Sequence, residues 1–277
     1  PPIPGVERAL TLRTVEDVER IHASVERKPK TAVVIGGGFI GLEMAENLIR
    51  KGINVSLVEA LDQVLAPLDA EMAFQVEREL RRHGVDLHLG RSASEIGADY
   101  VELSSGEKIP GELVVLAIGV RPDLRLAESA GLEIGPRRGI LVDENNITSN
   151  PEIYAVGDAT EKRDHFDGSS ILVPLANIAN RHGRIVADHI SGKQIRRVGT
   201  IATAIVKVFN LTIASTGWNE KRLKLASMDY AVIHTHPSSH AGYYPGAQQM
   251  TLKLIFDRKS GEILGAQGVG GEGVDKR

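Results

Sequence analysis

The sequence predicts an α/β fold in which an alternating α/β unit is followed by an antiparallel α+β unit. From Thr31 to about Val142, short apolar runs alternate with amphipathic helical patterns, as in a parallel sheet with crossover helices. A glycine-rich loop joins the first apolar run to the first of these helices. Beyond Gly199 strand-like runs dominate, and the 277 residues are enough for two domains. We therefore expect the fold to change near residue 196.

The N-terminal residues are typical of an extended connector followed by a helix. The connector is Pro1-Pro2-Ile3-Pro4-Gly5, and because it does not begin with Met we expect a piece of a longer protein. A helix is predicted over 14–27, where Thr14 is the N-cap and Asp17 imperfectly completes a capping box. Pro29 ends this helix.

The α/β elements follow from the spacing of apolar residues. Met72, Val76 and Leu80 share one helical face ahead of Gly84, and Ser105-Gly106 is typical of a hairpin turn. The predicted elements are strands at 31–35, 54–58, 113–118 and 153–156, helices at 39–50, 69–83 and 177–190, and a hairpin at 100–109. In the last unit we predict strands at 202–209, 211–215, 230–234, 250–256 and 263–269, and a helix at 219–226.

Composition excludes several classes of function. Lys and Arg number 33 against 36 Asp and Glu, giving a net charge of −3, which argues against bare nucleic acid or an anionic membrane as a partner. The absence of cysteine excludes disulfides, thiolate metal sites and cysteine nucleophiles within this chain. No apolar run reaches membrane-spanning length and no secretion pattern opens the chain. We expect a cytoplasmic protein.

The glycine-rich loop predicts a dinucleotide site. Gly36, Gly38 and Gly41 form a G-x-G-x-x-G pattern between a strand and a helix, and Glu59 follows at about 20 residues. Gly36 suits the tight turn, Gly38 the approach of the pyrophosphate, and Gly41 the packing of helix on strand. The alternative is a purely structural turn.

The residue types around Glu59 favour NAD(H) over NADP(H). Glu59 can accept hydrogen bonds from the adenosine ribose, and its charge would repel a 2′-phosphate. Neither Arg nor Lys occurs in Glu59-Ala60-Leu61-Asp62.

Three ordered motifs resemble those of the flavin-dependent pyridine nucleotide–disulfide oxidoreductases. Residues 33–45 are similar to the family's NAD loop, 117–123 to its second strand-end turn, and 148–158 to its second FAD motif. Pro174-Leu175-Ala176 and Gly183-Arg184 also match. The resemblance implies a Rossmann-like NAD domain with a remnant of the FAD domain, followed by an α+β dimerisation domain.

The C-terminal motifs resemble the branch containing coenzyme A–disulfide reductases and NADH oxidase/polysulfide reductases. They include Lys207-Val208-Phe209, Thr216-Gly217, residues 240–246 and residues 265–277. Membership of that branch would imply a homodimer that uses FAD and one redox-active Cys. This chain contains neither that Cys nor the first FAD-binding segment of the family. The implied domains are 1–28 from the FAD domain, 29–145 for NAD, 146–196 for the second FAD segment, and 197–277 for a C-terminally incomplete dimerisation domain.

The resemblance also implies roles for individual residues. The candidate cofactor-binding residues are Gly36, Gly38, Phe39, Ile40, Gly41, Glu59, Ala60, Ile118, Gly119, Gly157, Asp158, Pro174, Leu175 and Ala176. Asp158 would bind the FAD ribityl chain, and the helix after Pro174 would point its N-terminus at the flavin. Without the resemblance, Gly157-Asp158 is an ordinary turn pair and Pro174 begins an ordinary helix-capping loop.

Four residues are candidates for supporting catalytic roles. Phe39 would cover the flavin until NADH displaces it, and Glu43 would pair with a Lys that this chain lacks. Tyr243 and Tyr244 would cross the dimer interface towards the partner's thiol site. Each residue also has a structural alternative. Phe39 could pack in the core, and Glu43 could be a favourable charge near the helix N-terminus. The tyrosines could be interface aromatics.

A metal site is not predicted. His234 and His236 lie two apart on a strand and His240 follows, but the spacing matches no standard zinc pattern and no carboxylate lies between them.

The expected function is passage of hydride from NADH to FAD, and of electrons through the missing Cys to a disulfide, polysulfide or O2. By itself we expect this chain to bind NADH and dimerise without turnover. One alternative is a stand-alone NAD(H)-binding dimer acting as a sensor or scaffold. Another is a flavin reductase component with a protein or nitrite acceptor.

Overall fold

A computed structural model describes residues 3–193 and 199–276, so the predicted boundary near residue 196 lies outside the described residues. The chain forms two compact units, one comprising Pro1–Gly119 and Ile205–Arg277 and the other Val120–Ala204. Among the described residues, none of the helices combines the length and apolar character needed to cross a membrane.

The described residues form six α-helices, fifteen strands and two short 3-10 helices, Val6–Arg8 and Val274–Lys276. The helices are α1 Val15–Glu26, α2 Phe39–Arg50, α3 Ala70–Arg82, α4 Arg125–Ser129, α5 Ala176–Ile190 and α6 Glu220–Leu225. The strands are β1 Thr31–Ile35, β2 Asn54–Glu59, β3 Asp86–Leu89, β4 Ala93–Ile96, β5 Tyr100–Leu103, β6 Lys108–Pro110, β7 Leu113–Leu116, β8 Ile140–Leu141, β9 Thr160–Arg163, β10 Ser170–Ile171, β11 Thr203–Val208, β12 Leu211–Gly217, β13 Tyr230–Thr235, β14 Met250–Asp257 and β15 Ile263–Gly270.

The first unit is built on a four-stranded parallel sheet in the order β3-β2-β1-β7. Every residue of β1 after Thr31 is buried, as expected for a central parallel strand covered on both faces. The predicted strands at 31–35 and 54–58 and the helix at 39–50 are confirmed. The hairpin at 100–109 is also confirmed, but it pairs with β4, which the sequence patterns did not predict.

Helix α1 starts where a polar side chain binds a free backbone N–H group. Thr14 accepts a hydrogen bond from the Asp17 amide, and the Asp17 carboxylate accepts one from the Thr14 amide, so the predicted capping box is complete. Helix α3 occupies most of the predicted 69–83, with Met72, Val76 and Leu80 fully buried.

The C-terminal part of the same unit is a five-stranded sheet in the order β11-β12-β15-β14-β13. All five predicted strands and the helix at 219–226 are confirmed, with bounds that shift by one or two residues. The side chains of β14 alternate between the two faces of this sheet, since Lys253 and Ile255 are buried and their neighbours are less so.

The second unit differs from prediction at one strand. Residues 153–156 do not form a strand, because only Tyr154 makes a bridge, with Ile147. The strand lies instead at Thr160–Arg163, between β8 and β10. Its sequence is polar and Glu161 is buried, accepting hydrogen bonds from the amides of Arg137 and Gly139. Hydrophobic periodicity therefore gave no signal for it. Helix α5 confirms the predicted helix at 177–190.

Candidate functional site

The glycine-rich turn leaves free space in front of helix α2. Gly36 has a φ of 115°, and a methyl group there would lie 2.4 Å from the carbonyl oxygen of Ala117. At Gly41 a methyl group would lie 1.8 Å from the carbonyl oxygen of Gly36, whereas at Gly38 it would meet no described atom within 4 Å. Gly38 is the N-cap of α2 and carries no side chain. The turn therefore offers helix N–H groups and space for an anion such as a diphosphate.

Glu59 supports this turn as well as facing the site. One carboxylate oxygen accepts a hydrogen bond of 2.6 Å from the Gly37 amide, and the other accepts one of 2.8 Å from the Leu61 amide. Each carboxylate oxygen has a second lone pair, so the half-buried group can still accept a ribose hydroxyl. The sequence predicted contact with a ribose but not the bond to Gly37, which is set by the geometry of the strand ends.

The other predicted residues of the NAD site surround the turn unevenly. Ile118 lies beside Gly36 at the end of β7, and its side chain is exposed, as are Gly119 and Ala60. Phe39 and Ile40 are half-buried and pack against the main hydrophobic core. The exposed Glu43 lies one turn further along α2.

In the second unit a buried lysine supports the predicted FAD-binding turn. Gly157 has a φ of 85° and Asp158 is exposed. Lys162, which is 3% exposed, donates to the Gly157 carbonyl at 2.6 Å and to both oxygens of Thr160 at 2.9 Å. Burial lowers the pKa of Lys162, and the charge of Asp158 partly opposes this shift. Lys162 was not predicted as a site residue, because a lysine in a polar segment of the sequence is typical of an exposed position.

Helix α5 begins at Ala176, with Leu175 as its N-cap and Pro174 exposed just before it. Further along this helix, His182 has a buried Nδ1 without a hydrogen-bond partner among the described residues. Burial lowers the pKa of His182, and the charges of Lys162 and Arg181 add to the effect. These effects favour the neutral form of the ring.

The predicted tyrosines lie in the loop between β13 and β14. Tyr243 and Tyr244 are 85% and 61% exposed, and their ring centroids lie 5.0 Å apart. His240 lies 6.4 Å from Tyr244 by the same measure. Exposed aromatic rings of this kind are suited to an interface.

The three neighbouring histidines have separate partners. His234 lies 3.2 Å from Glu71, His236 lies 3.3 Å from Thr251 Oγ1, and the His240 ring lies 3.2 Å from the Ala241 carbonyl. The structure thus gives each ring its own contact.

An acidic cluster of Asp69, Glu71 and Glu220 lies nearby, with carboxylate oxygens within 4.8 Å of one another. The Nζ atom of Lys253 forms ion pairs with all three carboxylates, at 2.8 Å from Asp69. An ammonium group therefore fills the position that a cation would take.

Comparison with known proteins places these features in a family. Residues 1–183 match the pyridine nucleotide-disulphide oxidoreductase model, and residues 203–276 match the dimerisation domain of the same family. An NADH oxidase of Methanocaldococcus jannaschii is 35% identical over 100% of this chain and 63% of its own length. A CoA-dependent NAD(P)H sulfur oxidoreductase of Pyrococcus furiosus is 33% identical over 98% of this chain and 61% of its own length.

Two solved structures resemble the whole chain closely. Reduced Bacillus anthracis CoADR-RHD has a TM-score of 0.96 and 47% identity, covering 100% of this chain and 51% of that one. A NAD-dependent persulfide reductase from A. fulgidus has a TM-score of 0.95 and 39% identity, covering 100% and 52%. The chain spans less than two thirds of the curated relatives that it matches. The matched models, together with the glycine turn and the acid that supports it, show that this chain belongs to the pyridine nucleotide-disulphide oxidoreductase family.

Proposed function

We propose that the protein to which this chain belongs oxidises NADH and passes two electrons through FAD and a cysteine outside these 277 residues to a small acceptor. For a disulfide acceptor, NADH, a proton and the disulfide yield NAD⁺ and two thiols. The observation that carries the proposal is the free space at Gly38 in front of α2, bordered by the supported carboxylate of Glu59. Family membership supplies the second argument.

The residues of the first unit bind and orient the nucleotide in this proposal. The free N–H groups at the start of α2 bind the diphosphate, and Gly38 allows the diphosphate to approach the backbone. Glu59 accepts ribose hydroxyls while its bonds to Gly37 and Leu61 keep the carboxylate in place. Phe39, half-buried at the first position of α2, would cover the flavin until NADH displaces it.

The second unit fits part of a FAD site. The turn at Gly157 exposes Asp158, which can accept hydrogen bonds from the ribityl hydroxyls. The buried ammonium group of Lys162 stabilises that turn by donating a hydrogen bond to the Gly157 carbonyl. The buried Nδ1 of His182 is one further polar atom for which a bound cofactor or its waters would supply a partner. When bound, FAD supplies the two-electron carrier between the nicotinamide and the acceptor.

The acceptor that we propose is a coenzyme A disulfide, a polysulfide or O2. The relatives bear names for all three kinds of reaction, including coenzyme A disulfide reductase, polysulfide/persulfide reductase and NADH oxidase. We also propose a homodimer, in which the exposed Tyr243 and Tyr244 of one protomer approach the acceptor site of its partner.

Steady-state turnover of the full-length protein with NADH and each acceptor tests this function. We expect oxidation of NADH with at least one of the three acceptors, and reduction of the bound flavin by NADH under anaerobic conditions. A full-length protein that binds NADH but never reduces a flavin would contradict the proposal and support a sensor or scaffold.

A further inference from the structure

The loop that follows β2 contacts the dinucleotide turn directly. The Leu65 amide donates a hydrogen bond of 2.9 Å to the carbonyl of Gly37, the same residue whose amide binds Glu59. Leu65 is 2% exposed and has a φ of 48°, in the left-handed region that a branched apolar residue rarely adopts. Contacts elsewhere must therefore hold this loop in its conformation.

Helix α6 of the C-terminal sheet domain supplies the first of those contacts. The Asn219 side-chain amide donates hydrogen bonds of 3.2 Å to the carbonyls of Ala66 and Pro67. The ammonium group of Lys221 donates to the same Ala66 carbonyl at 2.9 Å and to the Gln63 side chain at 3.1 Å. Two donors from one short segment thus converge on the loop, directly after Leu65.

Buried groups extend the contact to the end of the loop. Asp69 and Gln267, 3% and 4% exposed, exchange two hydrogen bonds, since Gln267 accepts from the Asp69 amide at 2.8 Å and donates to its carboxylate at 2.7 Å. The Glu220 amide donates to the other carboxylate oxygen of Asp69 at 3.0 Å. Both ends of the loop are therefore fixed, one at Gly37 and the other in the C-terminal domain.

We propose that Asn219 and Lys221 are positioning residues for the nicotinamide dinucleotide, acting through the loop at 63–69 on the Gly37 turn. This inference rests on the proposed binding of NADH at Gly36–Gly41. Neither residue touches the turn itself, and 150 or more positions separate them from the carbonyls they bind. A domain associated with dimerisation thus determines how well the Rossmann-like domain binds its substrate.

The test uses ADP-ribose as the probe, because it occupies the diphosphate and adenosine positions without reducing flavin. Asn219→Ser keeps an oxygen to cap the Arg222 amide of α6 but removes both bonds to the loop. Lys221→Met removes the ammonium group that donates to Gln63 and Ala66, whereas Lys221→Arg keeps a charged donor at this position. The matched control is Lys224→Met, on the same helix, since Lys224 pairs with Glu220 and, within the described part of the chain, makes no hydrogen bond to the loop.

For the Asn219→Ser, Lys221→Met double variant of the full-length protein we expect calorimetry to show binding of ADP-ribose weakened about tenfold. KM for NADH should rise by a similar factor with kcat nearly unchanged. Hydrogen exchange of the Leu65 backbone amide should accelerate about tenfold. Lys221→Arg should retain most of the affinity, and Lys224→Met should match the parent protein.

Three outcomes would overturn the inference. The first is faster hydrogen exchange of the Leu65 amide with unchanged affinity for ADP-ribose, and the second is unchanged hydrogen exchange at Leu65 in the double variant. The third is a loss of affinity for ADP-ribose in Lys224→Met equal to that in the double variant. Failure of the proposed function has different signatures: without NADH binding at Gly36–Gly41 the unsubstituted protein itself would give no heat with ADP-ribose, and without the redox reaction it would bind ADP-ribose but never reduce a flavin.

Discussion

A methyl group at Gly38 would meet no described atom within 4 Å, whereas one at Gly41 would lie 1.8 Å from the Gly36 carbonyl oxygen. The two glycines therefore serve different purposes, although the sequence motif treats them alike. Gly41 is required by the packing of α2 against its own turn. Gly38 leaves vacant the volume that a diphosphate would need, and its φ of −82° suits any residue.

We predict that Gly38→Ala leaves the free energy of unfolding within about 0.5 kcal/mol of the parent and raises KM for NADH at least about tenfold. Gly41→Ala should lower the free energy of unfolding by about 2 kcal/mol or more, because backbone must move. Chemical denaturation and NADH titration measure the two effects. Normal NADH binding by Gly38→Ala would show that the space serves no nucleotide.

Glu59 permits a second prediction at the same scale. Glu59→Ala removes the acceptor of the Gly37 and Leu61 amides and the negative charge beside the ribose. We expect kcat/KM for NADH to fall about tenfold or more, while that for NADPH changes less because the repulsion of a 2′-phosphate is lost. The ratio of the two values is the readout. Glu95→Ala, which affects a hydrogen bond from Tyr100, is the control and should not change the ratio.

At the level of elements, one lysine joins helix α3 to the five-stranded C-terminal sheet. Lys253 on β14 is fully buried and pairs with Asp69 and Glu71 around the start of α3 and with Glu220 on α6. Burial raises the pKa of Glu71 and Glu220 more than any single contact lowers it. The hydrogen bond from Lys253, the further hydrogen bonds to each carboxylate and the Lys253 charge together outweigh burial and hold both pKa values below the ordinary value. Burial raises the pKa of Tyr230 to about 12, and its hydrogen bond to Glu220 adds to the effect.

The sign of the pH dependence follows from these directions. A carboxyl whose pKa is depressed on folding contributes stability above its ordinary pKa, and that contribution is lost as pH falls through the folded value. The two glutamates should therefore stabilise the protein at neutral pH and stop doing so in strong acid.

We predict that Lys253→Met lowers the free energy of unfolding by about 3–5 kcal/mol at pH 7.5, since the three carboxylates then face one another without the buried ammonium group that pairs with all of them. The loss should be smaller at about pH 4.5, where carboxyls protonate more readily. Urea unfolding at both pH values measures it. An equal decrease in the free energy of unfolding at the two pH values would mean that the Lys253 side chain stabilises the protein by its packing and not by its charge.

For the whole molecule, the two faces of the C-terminal sheet have different roles. Lys253 and Thr251 bond to Glu71 and Gln75 of α3, so this face of β14 is covered within the chain. Leu252 and Leu254 lie on the opposite face by the alternation of a strand, and both are only half-buried. Such a face, in a domain that matches a dimerisation model, is suited to a second copy of the chain.

We predict that Leu254→Asp converts a dimer into a monomer, because a carboxylate would be buried without a partner at the interface. Sedimentation velocity of the full-length protein measures the mass directly. Leu225→Asp, at an 88% exposed position of α6, should leave the dimer intact. A Leu254→Asp protein that sediments as a dimer would exclude this face as the interface.

The sequence alone determined the local parts of this protein. Apolar spacing specified β1, α2, α3 and the five C-terminal strands, because burial of one face dictates period and length. A capping box specified the start of α1. The glycine spacing and Glu59 identified the turn, since its geometry is encoded in a few consecutive residues. The prediction was wrong where charged residues are buried. The strand predicted at 153–156 lies at Thr160–Arg163, whose buried Glu161 and Lys162 are stabilised by hydrogen bonds.

Only the tertiary structure decided which distant residues meet at the site. The bond between Leu65 and Gly37, the two donors from Asn219 and Lys221, and the three carboxylates around Lys253 join segments that no local pattern relates. Local sequence preferences extend over a few residues, whereas these contacts depend on how whole sheets and helices pack. The turn that we propose binds the nucleotide is thus encoded locally, and the contacts that hold that turn in place are not.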